Sequence, residues 1–238
     1  GTTVNVVSGN YIGTNLAGTT GIGNSAGGIS ITNAAGSNTI GGLAAGAGNL
    51  IAHNTTYGVN VSGAGTGNAI LGNAIHTNTA LGIDLRNDGI TANDGTTTAT
   101  QPNLLMDFPV IQVAGLAGTT LMVSGYVGTA PNDTDFAGAR IEFFRSPDAA
   151  GANGEADLYL GFLTADASGN FSGNLTVAGL ALGDRITATA TDTSNNTSEL
   201  GVNVAVTSAV PTAVNDAYSV NEDGTLAVDW WDTDWARR

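Results

Sequence analysis

Three stretches of the chain, GNYIGTN at residues 9–15, GNLIAHN at 48–54 and GNAIHTN at 72–78, share the pattern Gly-Asn-x-Ile-x-x-Asn. A second pattern, Gly-apolar-polar-apolar, follows each copy as GISI at 28–31, GVNV at 58–61 and GIDL at 82–85. The later copies are more closely spaced than the earlier ones, as a loop inserted in the first coil would produce. A period of about 20–30 residues with Gly and Asn at the corners predicts a solenoid of stacked coils.

Two sets of side chains are expected to stack along this solenoid. Apolar side chains fill the interior because one coil cannot bury them alone, and the candidates are Ile12, Leu50 or Ile51, and Ile75. Corner amides form a ladder because each amide both donates and accepts hydrogen bonds, and the predicted members are Asn15, Asn54 and Asn78.

The charged residues are confined to one part of the chain. Residues 1–83 contain no Asp, Glu, Lys or Arg, and all 20 acids and six arginines lie from Asp84 onward. Stacked coils place like residues about 4.8 Å apart, where like charges would repel, so the absence of charge favours stacking. It also excludes from residues 1–83 the two carboxylates that a glycosidase needs.

The overall composition limits the partners of the chain. A net charge of −14 without any lysine repels nucleic acid and anionic lipid, so no nucleic-acid partner is expected. The sequence has no apolar run of 18 residues and no cysteine, which predicts no membrane span and no disulfide.

The stretch 108–208 has the pattern of an antiparallel β-sandwich. Its strand-like segments alternate, for example in 185–190, where Ile186, Ala188 and Ala190 face one way and the polar residues between them face the other. About 100 residues with seven such segments is typical of a sandwich. The predicted strands are 108–114, 119–127, 139–145, 158–164, 170–177, 185–191 and 201–207.

Three parts of the chain resemble known extracellular repeats. Residues 1–90 resemble the right-handed parallel β-helix of large bacterial surface and secreted proteins. TADASGNF at 164–171 and GDRITATATDTSNNTSEL at 183–200 resemble bacterial immunoglobulin-like adhesin modules, and PTAVNDAYSVNEDGTLAVD at 211–229 resembles the start of a cadherin-like module. The resemblance implies an all-β chain, with a short right-handed parallel β-helix followed by an antiparallel immunoglobulin-like β-sandwich.

The expected domains are a β-helix at 1–90, a capping or junction loop at 91–107, the sandwich at 108–208, and a linker with a truncated further module at 209–238. This order predicts a structural or adhesive segment of a secreted or cell-surface bacterial protein. Its expected partners are other modules of the same protein, or a glycan or cell-surface ligand. An open solenoid end at Gly1 suggests further coils or end-to-end self-association.

Two alternatives to the structural role stay open. One is a polysaccharide-active β-helix enzyme, a lyase or glycoside hydrolase, whose carboxylates would have to lie in the sandwich loops or at the junction, as Asp84, Asp88 and Asp94. The other is a carbohydrate-binding accessory fragment, since exposed tryptophans can form a sugar platform. The candidates for that platform are Trp230, Trp231 and Trp235, unless the chain end is an accidental truncation. The other aromatic candidates for sugar binding are Tyr11 and Tyr57.

Calcium is the expected cofactor. Oxygen ligands on a flexible loop suit calcium, and the junction supplies Asp84, Asp88 and Asp94. The competing interpretation of these acids is a turn that caps the open end of the solenoid. The resemblance to calcium-stiffened module arrays adds the candidates Asp192, Asn215, Asp216, Glu222 and Asp223.

Overall fold

Nine short strands build the first part of the protein in a computed structural model, which describes residues 2–209. They pair in parallel as three sheets of order β1-β4-β7, β2-β5-β8 and β3-β6-β9. The strands are β1 Val6–Val7, β2 Tyr11–Ile12, β3 Ile29–Ile31, β4 Thr39–Gly41, β5 Leu50–Ala52, β6 Val59–Val61, β7 Ala69–Leu71, β8 Ala74–His76 and β9 Ile83–Leu85. The chain therefore makes three stacked coils, coil 1 (β1–β3), coil 2 (β4–β6) and coil 3 (β7–β9), which confirms the predicted β-helix.

The interior of the β-helix follows the predicted columns. The strand register aligns Ile12 with Ile51 and Ile51 with Ile75. Ile51 and Ile75 are fully buried, whereas Leu50 is only half-buried, so Ile51 is the interior residue of its pair. The second sequence pattern aligns in the same way, with Ile29 beside Val59.

Asparagine side chains form three ladders along the described coils. In each ladder, the Oδ1 atom of one asparagine accepts hydrogen bonds from the backbone N–H and the Nδ2 group of the asparagine one coil earlier. The Nδ2 atom of Asn24 lies 2.9 Å from Oδ1 of Asn54, and Nδ2 of Asn54 lies 2.9 Å from Oδ1 of Asn78. The ladders are Asn5–Asn38–Asn68, Asn10–Asn49–Asn73 and Asn24–Asn54–Asn78. All three have the same direction, with donors in the earlier coil and acceptors in the later one.

The prediction that Asn15 belongs to a ladder is wrong, since Asn24 holds that position. The Oδ1 atom of Asn15 instead accepts from the N–H groups of Thr19 and Thr20, at 2.9 and 3.2 Å. These bonds close a loop that leaves coil 1 after Thr14 and returns at Gly21, where the two residues form a bridge. This local turn uses the side chain that the repeat pattern assigned to the ladder.

The first charged residue of the chain lies at the end of the stack. The register aligns Ser30 with Asn60 and Asn60 with Asp84, so the carboxylate occupies the coil 3 member of a polar column. Asp84 is buried, with 5% of its surface exposed. Because no further described coil stacks on coil 3, no like charge faces it within that column.

The second β structure is a sandwich of two sheets, with strand orders β14-β11-β10-β17 and β13-β12-β15-β16. Its strands are β10 Pro109–Ala117, β11 Thr120–Val127, β12 Arg140–Ser146, β13 Leu158–Thr164, β14 Asn170–Thr176, β15 Arg185–Thr191, β16 Val204–Ala205 and β17 Thr207–Ser208. Pairing is antiparallel except between β10 and β17. Leu121, Phe143 and Phe171 are among the buried residues between the sheets. The seven predicted segments correspond to these strands, and the last segment divides into β16 and β17, which join different sheets.

The connection between the two structures contains a short 3₁₀ turn at Pro102–Leu105, and a second 3₁₀ turn spans Thr134–Phe136. Within residues 2–209, no helix is long and apolar enough to cross a membrane.

Candidate functional site

The sheet β13-β12-β15-β16 lies between the other sandwich sheet and the open end of coil 3. On β15, Ile186 and Ala188 face the sandwich core, yet Thr187 and Thr189 on the opposite face are also buried, at 0% and 1% exposure. That opposite face covers the β-helix. The polar face of β15 is therefore part of the interface between the sandwich and the β-helix.

Apolar side chains from the sandwich complete the interior of the β-helix. Phe144 on β12, Ala156 and Leu200 pack in one buried cluster with the coil 3 residues Ile75 and Ile83. Backbone pairing reinforces this packing, because the N–H groups of Ile75 and Ala156 each donate to the carbonyl oxygen of the other. The two β structures thus share a hydrophobic core.

Two glutamates of the sandwich accept hydrogen bonds from the outer edge of coil 3. Oε2 of Glu142 lies 2.8 Å from the backbone nitrogen of Gly72. Oε1 of Glu155 lies 2.8 Å from the nitrogen of Asn78, and its Oε2 accepts from the N–H of Thr77. These N–H groups would otherwise have no acceptor at the end of the stack, and a buried unpaired donor costs about 1–3 kcal/mol.

A third glutamate of the sandwich accepts a hydrogen bond from β9, the last strand of coil 3. Oε1 of Glu199 accepts from the N–H of Leu85 and Oε2 accepts from the N–H of Thr91, both at 2.8 Å. Glu199 therefore connects the sandwich to the last strand of the β-helix and to the start of the junction loop. We refer to Glu142, Glu155 and Glu199 as the capping glutamates.

The ladder Asn5–Asn38–Asn68 ends in the junction loop. Oδ1 of Asn103 accepts from the N–H of Asn68 at 3.1 Å, and its Nδ2 donates to the carbonyl oxygens of Asn68 and Thr197. Thr197 in turn accepts from the N–H of Ile70 through Oγ1, at 2.9 Å. Asn103 thus takes the place of a further coil, which is what a cap requires.

Burial shifts the acid–base equilibria of two capping glutamates. Burial raises the pKa of Glu199 to about 7, against the opposing effect of the N–H groups of Leu85 and Thr91, and nearby Asp84 raises it further. Burial likewise raises the pKa of Glu155, again opposed by its backbone donors.

Asp107 is a buried acid of the junction loop that the sequence did not single out. Its carboxylate accepts from the N–H groups of Asp94 and Gly95, at 3.3 and 2.9 Å. Burial raises its pKa to about 6. Asn93 accepts from the N–H of Phe108 at 2.9 Å, so the loop is fixed at the start of the sandwich.

The structure places the predicted catalytic and calcium residues of the junction in two separate turns. Asp84 accepts from the N–H groups of Asp88 and Gly89, at 3.2 and 3.3 Å. Asp88 forms an exposed ion pair with Arg86, and exposed pairs contribute little to stability. Asp94 lies in the other turn, where its Oδ1 accepts from Thr96.

Calcium requires about six to eight oxygen ligands around one point. Asp192 closes its own turn, where it accepts from the N–H groups of Ser194 and Asn196, both at 2.8 Å. In the part of the chain that the structure describes, no group of three or more His, Cys, Asp or Glu side chains is placed to hold a metal ion. The assignment of Asp84, Asp88, Asp94 and Asp192 to calcium stays a prediction.

Several predicted site residues lie outside residues 2–209, and their roles stay predictions. For calcium these are Asn215, Asp216, Glu222 and Asp223, and for the sugar platform they are Trp230, Trp231 and Trp235.

A sequence signal for two of the capping glutamates was present but ambiguous. Glu142 and Glu199 each stand beside apolar residues, in IEFF at 141–144 and SEL at 198–200. The chain contains only four glutamates, so two of them next to apolar residues are unusual. The sequence could not indicate what the carboxylate faces, because its partners lie in the β-helix.

No protein-family model matches the chain. The fold and the site together define a parallel β-helix whose last coil is closed by the sheet of a β-sandwich.

Two threonines on the same buried face of β15 provide a test of the interface. The hydroxyl of Thr189 has no hydrogen-bond partner among the described residues, and it lies in apolar surroundings that include Ile75 and Phe144. The hydroxyl of Thr187 donates to the carbonyl oxygen of Gly201 at 2.7 Å. Thr189→Val should raise the free energy of unfolding by about 1 kcal/mol, and Thr187→Val should lower it by about 1 kcal/mol.

Urea unfolding of both valine variants beside the unmodified protein measures these changes. The two variants remove the same atom from the same face, so each controls for the other. Changes of the same sign would contradict the assigned interface.

The stability of the protein should depend on pH through Glu199. Its pKa in the folded protein, about 7, lies above its ordinary value of 4.5, so the folded protein retains a proton that the unfolded chain has released between these pH values. This contribution to the free energy of unfolding is fully present below about pH 4.5 and is lost as the pH rises through about 7. Glu199→Gln should remove it.

The measurement is urea unfolding between pH 4.5 and 8 for the unmodified protein and for Glu199→Gln. The difference in unfolding free energy between the two should decrease with rising pH. Asp135→Asn, at an exposed acid, is the control and should leave the pH dependence unchanged. A difference that stays constant over the whole interval would mean that Glu199 does not titrate in this way.

Proposed function

We propose that residues 2–209 are a rigid structural segment of a bacterial secreted or cell-surface protein. In this proposal the β-helix is a spacer, and the sandwich is both its cap and its connection to the rest of the assembly. An adhesive role, with other modules, a glycan or a surface ligand as partners, belongs to the same proposal.

The closure of coil 3 by the sandwich is the observation that supports this function most strongly. The capping glutamates, Asn103 and Thr197 supply acceptors to the last coil. A shared apolar cluster lies beneath them. Such an interface restricts motion between the two β structures more than a flexible linker would, and it suits a segment that must transmit force or hold a distance.

The enzyme alternative receives less support from the geometry. Both carboxylate oxygens of Asp84 accept backbone hydrogen bonds within a turn, and Asp94 lies in a different turn. An arrangement of this kind stabilises loops, and no observation in the described part of the chain favours one sugar-cleaving geometry over another.

A calorimetric experiment tests the structural proposal. We expect the unmodified protein to unfold in one cooperative transition. Glu155→Ala with Glu199→Ala leaves four backbone donors of the last coil and the junction without their acceptors, a loss of about 4–12 kcal/mol if each unpaired group costs about 1–3 kcal/mol. Since a domain is stable by about 5–15 kcal/mol, the β-helix should then melt well below the sandwich.

The control is the pair Asp88→Ala with Asp135→Ala, which removes the same charge at two exposed positions. It should preserve the single transition. A double glutamate variant that unfolds like the unmodified protein would contradict rigid coupling. Release of reducing sugar or unsaturated uronate from a polysaccharide, abolished by Asp84→Asn, would support the enzyme alternative instead.

A further inference from the structure

The N-terminal face of the β-helix, formed by the outer edges of β1, β2 and β3 with Asn5, Asn10 and Asn24, differs chemically from the capped end. No described strand pairs with this face from outside. Its three asparagines are exposed, whereas their ladder neighbours in coil 2 have at most 5% of their surface exposed.

The interior of the solenoid is open at the N-terminal face. A depression of about 410 Å³ lies there, lined by residues that include Val7, Ile29 and Ile40. Val7 and Ile29 are only half-buried, although the residues aligned with them in coil 2, Ile40 and Val59, are 2% and 0% exposed. A further layer would complete the burial of these side chains.

The direction of the ladders determines which groups the N-terminal face offers. The Nδ2 atoms of Asn5, Asn10 and Asn24 already donate to coil 2. Their Oδ1 atoms accept no hydrogen bond from any of residues 2–209. The face therefore presents three side-chain acceptors, one at each ladder. In coil 2, the equivalent Oδ1 atoms each accept two hydrogen bonds from the coil before, one from a backbone N–H and one from an Nδ2 group.

A second copy of this chain does not supply the matching donors. The other end of the described β-helix is already covered by the sandwich and the junction loop, where the N–H groups of Asn68, Gly72 and Asn78 donate to Asn103, Glu142 and Glu155. Two N-terminal faces placed against each other would oppose acceptor to acceptor. The strands of the two copies would then not run parallel to each other, as the strands of neighbouring coils do.

We propose that the N-terminal face is a docking surface for a β-helix coil that runs in the same direction as β1–β3 and donates from three corner asparagines to Asn5, Asn10 and Asn24. The occupant has an apolar inner side that covers Val7 and Ile29. This proposal extends the proposed spacer function by assigning a partner to the open end, and it can fail while the capping of coil 3 stands.

An added coil tests the proposal in the full chain. A copy of residues 38–67, which is one complete coil with all three corner asparagines, is inserted between Val4 and Asn5. In coil 2, the N–H groups of Thr39, Leu50 and Ser62 donate to the coil before them. The equivalent N–H groups in coil 1 are those of Val6, Tyr11 and Thr32.

We expect hydrogen exchange at Val6, Tyr11 and Thr32 to become at least about tenfold slower in the chain with the inserted coil. The matched control carries Asp in place of the inserted copies of Asn38, Asn49 and Asn54, which removes the side-chain donors with little change in shape. It should show little or none of this protection.

Three results would overturn the proposal. The first is an inserted coil that folds while these amides exchange as in the unmodified protein. The second is failure of two different inserted coils, copies of residues 38–67 and of residues 5–37, to fold onto the face. The third is a dimer of the unmodified chain in sedimentation, with the same amides protected, which would assign the face to a second copy.

Discussion

The backbone donors at the end of a stack of parallel coils need acceptors, and the structure depends on how this chain supplies them. Within the stack, each coil satisfies its neighbour through strand pairing and asparagine ladders. At coil 3 there is no further described coil, and the acceptors come from side chains of the sandwich and the junction. Glutamate side chains suit this role because each carries two oxygens that can accept hydrogen bonds from neighbouring backbone N–H groups.

The same requirement explains the two-sided burial of the sandwich sheet. β12 and β15 place Ile141, Phe143 and Ile186 in the sandwich core, while Glu142 and Phe144 lie against the β-helix. A sheet covered on both sides cannot show the polar outer face of an ordinary antiparallel sandwich. The arrangement has three layers at this point, and it couples the hydrophobic core of one β structure to the other.

The repeat patterns predicted the coils well because stacking is a property of the local repeat. They placed Ile51 and Ile75 in one column, and they identified two of the three members of one ladder. Asn15 was assigned wrongly because its own loop provides nearer donors. Two ladders were missed, although the first asparagine of the heptad and the similar segments SNTI at 37–40 and GNAI at 67–70 marked them. A cap was expected from the junction loop alone, and the role of the sandwich in it could not be predicted, since Glu199 and Leu85 are 114 residues apart and no repeat links them.

Hydrogen exchange of the unmodified protein tests the central claim, that side chains of the sandwich close the last coil. The informative amides are those of Gly72, Asn78 and Leu85, which donate only to the capping glutamates. Capping predicts that they exchange about as slowly as the amides of Ala69 and Ala74, which donate to coil 2 within the stack. Rapid exchange at all three positions, like that of an exposed strand edge, would contradict the claim.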